Sequence, residues 1–111
     1  MTRRNYLGNL ELMVMLVLIR LGDDAYGVPI SRELAKRIGH EVALGSVYAT
    51  LERLQGKGLV TSIMGEPTQE RGGRAKRYFH VTAKGMQEVR GIQRELQKLW
   101  QGLPALEGGV A

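Results

Sequence analysis

Small and basic side chains recur at helical spacing between residues 46 and 57. Five of them share one stripe of a predicted helix at about 100° per residue: Ser46, Ala49, Thr50, Arg53 and Lys57. The opposite stripe is apolar, with Val47, Leu51 and Leu54, and Tyr48 lies on a flank, where it would hydrogen-bond a phosphate or pack against a neighbouring hairpin. Arginine and hydroxyl groups can bind base edges in a major groove, and the free N–H groups of a helix N-terminus favour phosphate. The polar stripe therefore suits nucleic acid, although a solvated helix face would contain the same residue types.

A second basic group follows about twenty residues later and contains no acid. Four cations fall within seven residues: Arg71, Arg74, Lys76 and Arg77. The Gly72-Gly73 pair between them lets the backbone turn and approach another surface closely. A basic hairpin tip suits contact with phosphate or with a minor groove, whereas a charged edge strand that deters aggregation is the alternative. Its position directly after a predicted helix pair favours DNA.

Groups that would support catalysis or a cofactor are missing from the sequence. His40 and His80 are far apart and neither belongs to a metal-binding motif. Ser31 and Ser46 have no histidine and acid arranged around them, and no glycine-rich phosphate loop follows a predicted strand. With no cysteine there is no disulfide, thiolate or cysteine metal site, which fits a reducing cytoplasm. We expect a protein that is not an enzyme and binds no cofactor or metal.

Length and charge restrict the remaining classes. The chain has 111 residues, enough for one domain, with a net charge of +5 and a pI near 9.9. A basic balance indicates nucleic acid or an anionic membrane. The apolar run 12–19 is far shorter than the roughly 20 residues that cross a bilayer. A buried first helix is therefore the better interpretation of this run, and we expect no membrane partner.

Turn residues and apolar spacing divide the chain into six elements. We predict helices over 10–21 with Asn9 as cap, from Gly27 to a stop at Gly39, and from a Ser46 cap to about Gly56 or Gly58. Strands are predicted over 59–64 and 76–81, and Thr82 is expected to cap a last helix that runs to about residue 103, before Pro104. The fold class is mainly α (α+β): a winged helix-turn-helix with a two-stranded wing and a long C-terminal helix.

The last predicted helix contains an apolar seam of five residues spaced 3, 4, 3 and 4 apart: Val89, Ile92, Leu96, Leu99 and Leu103. This heptad-like spacing is typical of a helix that packs on a second helix. The partner helix belongs either to a second copy of the chain, which we favour, or to the same domain. Trp100 lies beside the seam and either packs at the edge of a dimer or lines an apolar cavity suited to a flat aromatic ligand.

Three segments together resemble the PadR family of bacterial transcriptional regulators: Ala25-Tyr26-Gly27; residues 45–54 (GSVYATLERL) with Gly58-Leu59-Val60; and residues 73–85 (GRAKRYFHVTAKG). Ala49 stands where many members have proline, and Gln55-Gly56 replaces a more acidic stretch. The resemblance implies a homodimeric repressor that occupies a double-stranded DNA operator and is often released by a small molecule. Short members dimerise through the terminal helix together with the N-terminal one.

Combining the residues with the resemblance gives a division of the chain and a predicted function. Residues 1–81 are expected to form the DNA-binding domain, 82–104 the dimerisation helix and 105–111 a disordered tail. The predicted effector is a small apolar or aromatic molecule. The alternatives are a protein-interaction module, or a module that sequesters lipophilic compounds, without specific DNA binding. Arg53, Lys57 and the basic cluster over 71–77 argue against them, because a repurposed surface need not stay basic.

Overall fold

The computed structural model describes residues 7–65 and 75–103, which form four α-helices and one two-stranded sheet. In chain order these are α1 (Asn9–Leu21), α2 (Gly27–Ile38), α3 (Leu44–Gly56), β1 (Val60–Met64), β2 (Arg77–Val81) and α4 (Ala83–Trp100), with one 3-10 turn over Gly22–Asp24. Three helices, a β-hairpin and a long last helix are the order of a winged helix-turn-helix. The predicted fold class is confirmed.

Two predicted helix caps are wrong. Helix α1 begins at Asn9 itself, with Gly8 as its N-cap, and the Glu11 carboxylate accepts a hydrogen bond from the Gly8 N–H at 2.8 Å. Glu11 thus binds back to the N-cap residue, and no N-cap side chain accepts from the first turn of α1. Helix α3 begins two residues before Ser46, which lies in the first turn; the N-cap, Ala43, has no side chain that can cap.

Two other predicted ends are confirmed. Gly39 follows α2 in the left-handed region, with φ of +83°, where glycine is favoured. Thr82 caps α4, because its hydroxyl accepts a hydrogen bond from the Gly85 N–H at 3.0 Å. Helix α4 ends at Trp100, three residues before the predicted end.

One apolar core joins the first three helices to the hairpin and to the start of α4. Helix α1 contributes Val14, Met15 and Leu18, all nearly inaccessible to solvent, as expected for a buried first helix. Phe79 of β2 is fully buried, and its N–H donates to the carbonyl of Ala25 at 2.8 Å. This bond fixes the inner strand of the hairpin against the turn that precedes α2.

The hairpin is antiparallel, with Val60 opposite Val81 and Met64 opposite Arg77. Each strand starts one residue later than predicted. Its connecting segment, residues 66–74, lies outside the described residues, and so do the predicted tail over 105–111 and the predicted wing contacts Arg71 and Arg74.

Helix α4 has two differently packed halves. Val89 and Ile92 are only 8% and 9% exposed, since they pack on their own chain, whereas Leu96 is 40% and Leu99 74% exposed. The prediction that the whole seam faces a partner is therefore wrong for Val89, which belongs to the intrachain core, and for Ile92, which is covered next to it. No helix within the described ranges has both the length and the apolar character needed to cross a membrane.

Candidate nucleic-acid interface

Helix α3 presents a solvent-exposed side with small residues along its midline: Gly45 near the start of the helix, Ala49 in its first half and Gly56 at its end. The outward face comprises Gly45, Ser46, Tyr48, Ala49, Glu52, Arg53 and Gly56, all exposed. A Cβ added at Gly45 or Gly56 would meet no other atom within 4 Å. The backbone of α3 is therefore accessible along the midline of this face. The carboxylate of Glu52 lies on one side of this line and the guanidinium of Arg53 on the other.

Thr50 does not belong to the outward face, and its predicted place on the polar stripe is wrong. Its side chain is fully buried, and its hydroxyl donates to the Ser46 carbonyl at 2.8 Å. On a helical wheel Thr50 lies only about 65° from the centre of the apolar stripe, whereas Ala49 lies about 170° from it. The predicted stripe was thus displaced toward the buried side.

The nearly buried carboxylate of Glu11 in α1 attracts Arg53 of α3 and Lys57, the residue that follows α3. Lys57 Nζ lies 2.9 Å from Glu11 Oε2 and 3.1 Å from Oε1, and Arg53 Nε lies 3.8 Å from Oε2. Arg53 also donates to the Thr50 hydroxyl at 3.2 Å. Burial raises the pKa of Glu11. The hydrogen bonds from Lys57 and the Gly8 N–H, together with the charges of Lys57 and Arg53, lower this pKa by more, so it lies below its usual value.

These contacts separate the two predicted cations. The Lys57 side chain is 31% exposed and holds α3 to α1, whereas that of Arg53 is 57% exposed and remains accessible from the outward face. Glu11 was not among the predicted site residues. The signal was present, as an acid three residues after Gly8 at the start of an otherwise apolar helix.

Arg77 of β2 forms the opposite anchor of α3. Its guanidinium donates to Glu52 Oε2 at 2.8 Å, to Gln55 Oε1 at 2.8 Å and, through Nε, to the Ser62 hydroxyl at 3.0 Å. The hydrogen bond from Arg77 and its charge lower the pKa of Glu52. Arg77 was predicted to contact DNA, but most of its donors are engaged within the chain. Glu52 and Gln55 were not among the predicted site residues.

The Tyr48 side chain packs on the start of α2. Its hydroxyl and ring carbon Cζ occupy the space that a Cβ at Gly27 would fill. Gly27 is the first residue of α2, so the absence of a side chain there allows the two helices to approach closely. Since Tyr48 is still 41% exposed, it remains part of the outward face.

Lys76 directly precedes β2, at the end of the hairpin where the two strands are connected, and lies on an aromatic pair. Its ammonium is 4.9 Å from the centroid of the Tyr26 ring, which meets Tyr78 edge-on at 5.3 Å between centroids. A cation over an aromatic face is favourable and holds the lysine stem. Lys76 thus lies just after residues 66–74 and directly before β2.

Acid and histidine groups suitable for a metal ion do not come together in the ranges 7–65 and 75–103. His80 contacts Asp23 at 3.4 Å, and His40 lies 3.3 Å from the Glu41 carbonyl.

Comparison with known proteins identifies the family. The profile of the transcriptional regulator PadR-like family matches residues 15–91. A sequence search of curated proteins finds no match.

Solved structures of similar fold agree with this match. A PadR family regulator from Clostridium difficile R20291 superposes with a TM-score of 0.70 at 19% identity, covering 94% of this chain and all of the other. One from Eggerthella lenta gives 0.65 at 27% identity, with 85% and 80% covered, and a PadR-like transcription factor from Bacteroides fragilis gives 0.63 at 25% identity, with 92% and 89% covered. The chain belongs to the PadR-like family of DNA-binding transcriptional regulators.

Proposed function

We propose that this protein is a homodimeric repressor that reads an operator with the outward face of α3. The observation that carries the proposal is the midline of that face, where Gly45, Ala49 and Gly56 leave the helix backbone accessible to the base pairs of a groove. A major groove is wide enough for one α-helix. Small residues at the point of closest approach let flanking side chains reach the base edges.

The polar groups around that midline fit this role. Arg53 is exposed while its guanidinium is held by Thr50 and Glu11, so it loses little conformational freedom on binding a base or phosphate. Ser46 lies in the first turn of α3, where helix N–H groups favour phosphate. Lys76, Arg71 and Arg74 are proposed to follow the DNA backbone beside it, whereas Lys57 and Arg77 contribute chiefly by holding α3.

Dimerisation is supported by the uncovered second half of α4. Four apolar side chains border one patch there: Leu96, Leu99, Trp100 and Leu103. An exposed patch of this kind on a terminal helix is typical of an interface. A second copy packed on it would place two α3 helices on one DNA molecule, and occupation of an operator would block transcription.

An apolar effector would bind next to the same patch. An open groove of about 500 Å³ lies between the start of α1 and α4, bordered by Leu7, Leu12, Ile92, Leu96 and Leu99. This volume is sufficient for a small aromatic molecule. Such a ligand would touch both helices near the proposed interface. Trp100 borders the adjoining patch together with Leu96 and Leu99, and it is the only tryptophan, so its fluorescence would report ligand binding.

The proposal is tested by binding of labelled duplex DNA from upstream of the protein's own coding sequence. Arg53→Ala should weaken specific binding by roughly 1–3 kcal/mol, as expected for loss of a base contact. Arg90→Ala removes the same charge from an exposed site on α4 and is the matched control; it should bind like wild type. Equal affinity of the Arg53 variant and wild type would refute the role of α3.

The competing function is a module without specific DNA binding that captures lipophilic compounds in the α1–α4 groove. The same assay separates the two. Wild-type protein that binds no duplex at moderate salt, but whose Trp100 emission changes with planar aromatic compounds, would favour that alternative.

A further inference from the structure

Glu52 is an unusual residue for a surface that faces DNA. Its side chain is 59% exposed on the outward face, and its neighbours one turn away are Ala49 and Gly56, which leave it open to solvent. A carboxylate here opposes the phosphate charge that the rest of a +5 chain would attract. At a DNA interface, a carboxylate in this place is favourable only where a hydrogen-bond donor of the DNA faces it.

The carboxylate is held in position by a network that reaches the hairpin. Arg77 donates to Oε2 at 2.8 Å and approaches Oε1 at 3.5 Å. The guanidinium is itself fixed by Gln55 and Ser62, which hydrogen-bond to each other at 3.1 Å. Phe79 supports it from below, with the guanidinium carbon 5.0 Å from the ring centroid. Glu52 is thus preorganised, while Oε1 keeps acceptor capacity toward solvent.

The chemistry of the carboxylate restricts what it can recognise. It only accepts hydrogen bonds, so guanine O6 and N7 and thymine O4, which also only accept, are unfavourable partners. The major groove offers two donors, the N4 amino group of cytosine and the N6 amino group of adenine, and a carboxylate pairs with cytosine N4. Arg77 neutralises part of the charge, which reduces repulsion from phosphates.

We infer that Glu52 is a specificity-determining residue that accepts a hydrogen bond from a cytosine amino group in each operator half-site, with Arg77 as its positioning residue. The inference rests on the proposed function, because it requires α3 to lie in the major groove. Beyond the proposed function, it assigns cytosine to Glu52 and gives the Arg77–Glu52 contact between β2 and α3 a role in base selection.

The test measures the binding of wild type, Glu52→Gln and Glu52→Ala to every single-base-pair variant of the upstream operator. Glu52→Ala should flatten the preference at one base pair per half-site by about tenfold. Glu52→Gln keeps an acceptor for Arg77 but adds donors, and glutamine pairs with adenine, so the preference should move from C·G toward A·T at that position. Arg77→Lys keeps the charge without the planar fork and should weaken the same preference without moving it.

Glu33→Gln is the matched control, because Glu33 forms its ion pair with Arg37 within α2 and does not belong to the outward face of α3. It should leave every base preference unchanged. Unaltered preferences in both Glu52 variants, with affinity the same or uniformly changed on all sequences, would overturn the inference while leaving the proposed function intact. Absence of sequence-specific binding by the wild type would overturn both. Thermal melting of each variant shows that the compared chains are folded.

Discussion

Helices α3 and α4 are held by the rest of the chain in opposite ways. The inner side of α3 is fully buried through Val47, Thr50, Leu51 and Leu54, and its edges are tied to α1 and β2. Helix α4 is fixed at its first two turns, and its last two turns carry exposed leucines. A single chain thus determines the orientation of α3. The distance between two α3 helices, in the proposed dimer, depends on what covers the end of α4.

The largest expected effect comes from a charge in the uncovered half of α4. In Leu96→Arg the single chain should still fold, because this position is 40% exposed, but burying the guanidinium between two copies would cost several kcal/mol. We expect a monomer by sedimentation and at least hundredfold weaker operator binding, with no DNA-facing residue changed.

Gln97→Arg is the control for that experiment. It adds the same charge one residue further along, at an exposed position about 120° from the centre of the seam on the helical wheel. It should remain a dimer that binds DNA. A dimeric Leu96→Arg protein with normal affinity would remove α4 from the account of half-site spacing.

The anchored start of α4 is tested by Gly85→Ala. The added Cβ would meet the Leu59 carbonyl oxygen, and Val81 Cγ1 at 2.7 Å, so backbone would have to move. We expect the free energy of unfolding to fall by about 1–3 kcal/mol, the usual cost of overpacking. Gly56→Ala, where a Cβ meets nothing within 4 Å, should instead be neutral or stabilise by up to about 1 kcal/mol. Equal melting temperatures for the two variants would contradict the packing described here.

A smaller effect is expected from Glu11→Gln, which removes the charge that holds Lys57 and Arg53. At neutral pH the variant should be less stable by about 1–2 kcal/mol, since a charge-assisted hydrogen bond becomes a neutral one. The pKa of Glu11 is lower in the folded chain than in the unfolded chain, so at pH values between these two pKa values the unfolded chain binds more protons. The stabilisation is complete above about pH 4.5 and is lost as the pH falls through the folded pKa.

The difference between wild type and Glu11→Gln should therefore shrink on acidification. Urea unfolding at a series of pH values from neutral to acid measures it directly. A difference that stays constant, or grows, in acid would show that the Glu11 charge does not stabilise the fold. Glu33 pairs with Arg37 one turn later on α2, and the Arg37 side chain is 50% exposed, so Glu33→Gln should give a smaller difference. This difference should also shrink in acid, because the hydrogen bond from Arg37 lowers the pKa of Glu33.

Sequence patterns predicted the elements of this fold better than the contacts between them. Gly39 and Thr82 mark helix ends through local chemistry, which a sequence shows directly. The Glu11–Lys57 pair joins residues 46 apart and the Glu52–Arg77 pair residues 25 apart, and periodicity within one helix carries no information on such pairs.

The apolar seam shows the same limit. Val89 and Leu96 have equivalent heptad spacing, yet only the first is covered by its own chain. The spacing indicates that a helix face is apolar and leaves open which surface covers it. The burial of Thr50, by contrast, agrees with helical periodicity, since Thr50 lies only about 65° from the centre of the apolar stripe.

In the proposed dimer, two copies of α3 bind DNA at a separation that α4 determines. Hydroxyl-radical footprinting of the wild type on its upstream region measures this arrangement. We expect two protected patches on one face of the duplex, one helical turn of about 10 base pairs or a multiple apart, and both should be lost in Arg53→Ala and Leu96→Arg. A single protected patch, or an unchanged footprint in both variants, would contradict it.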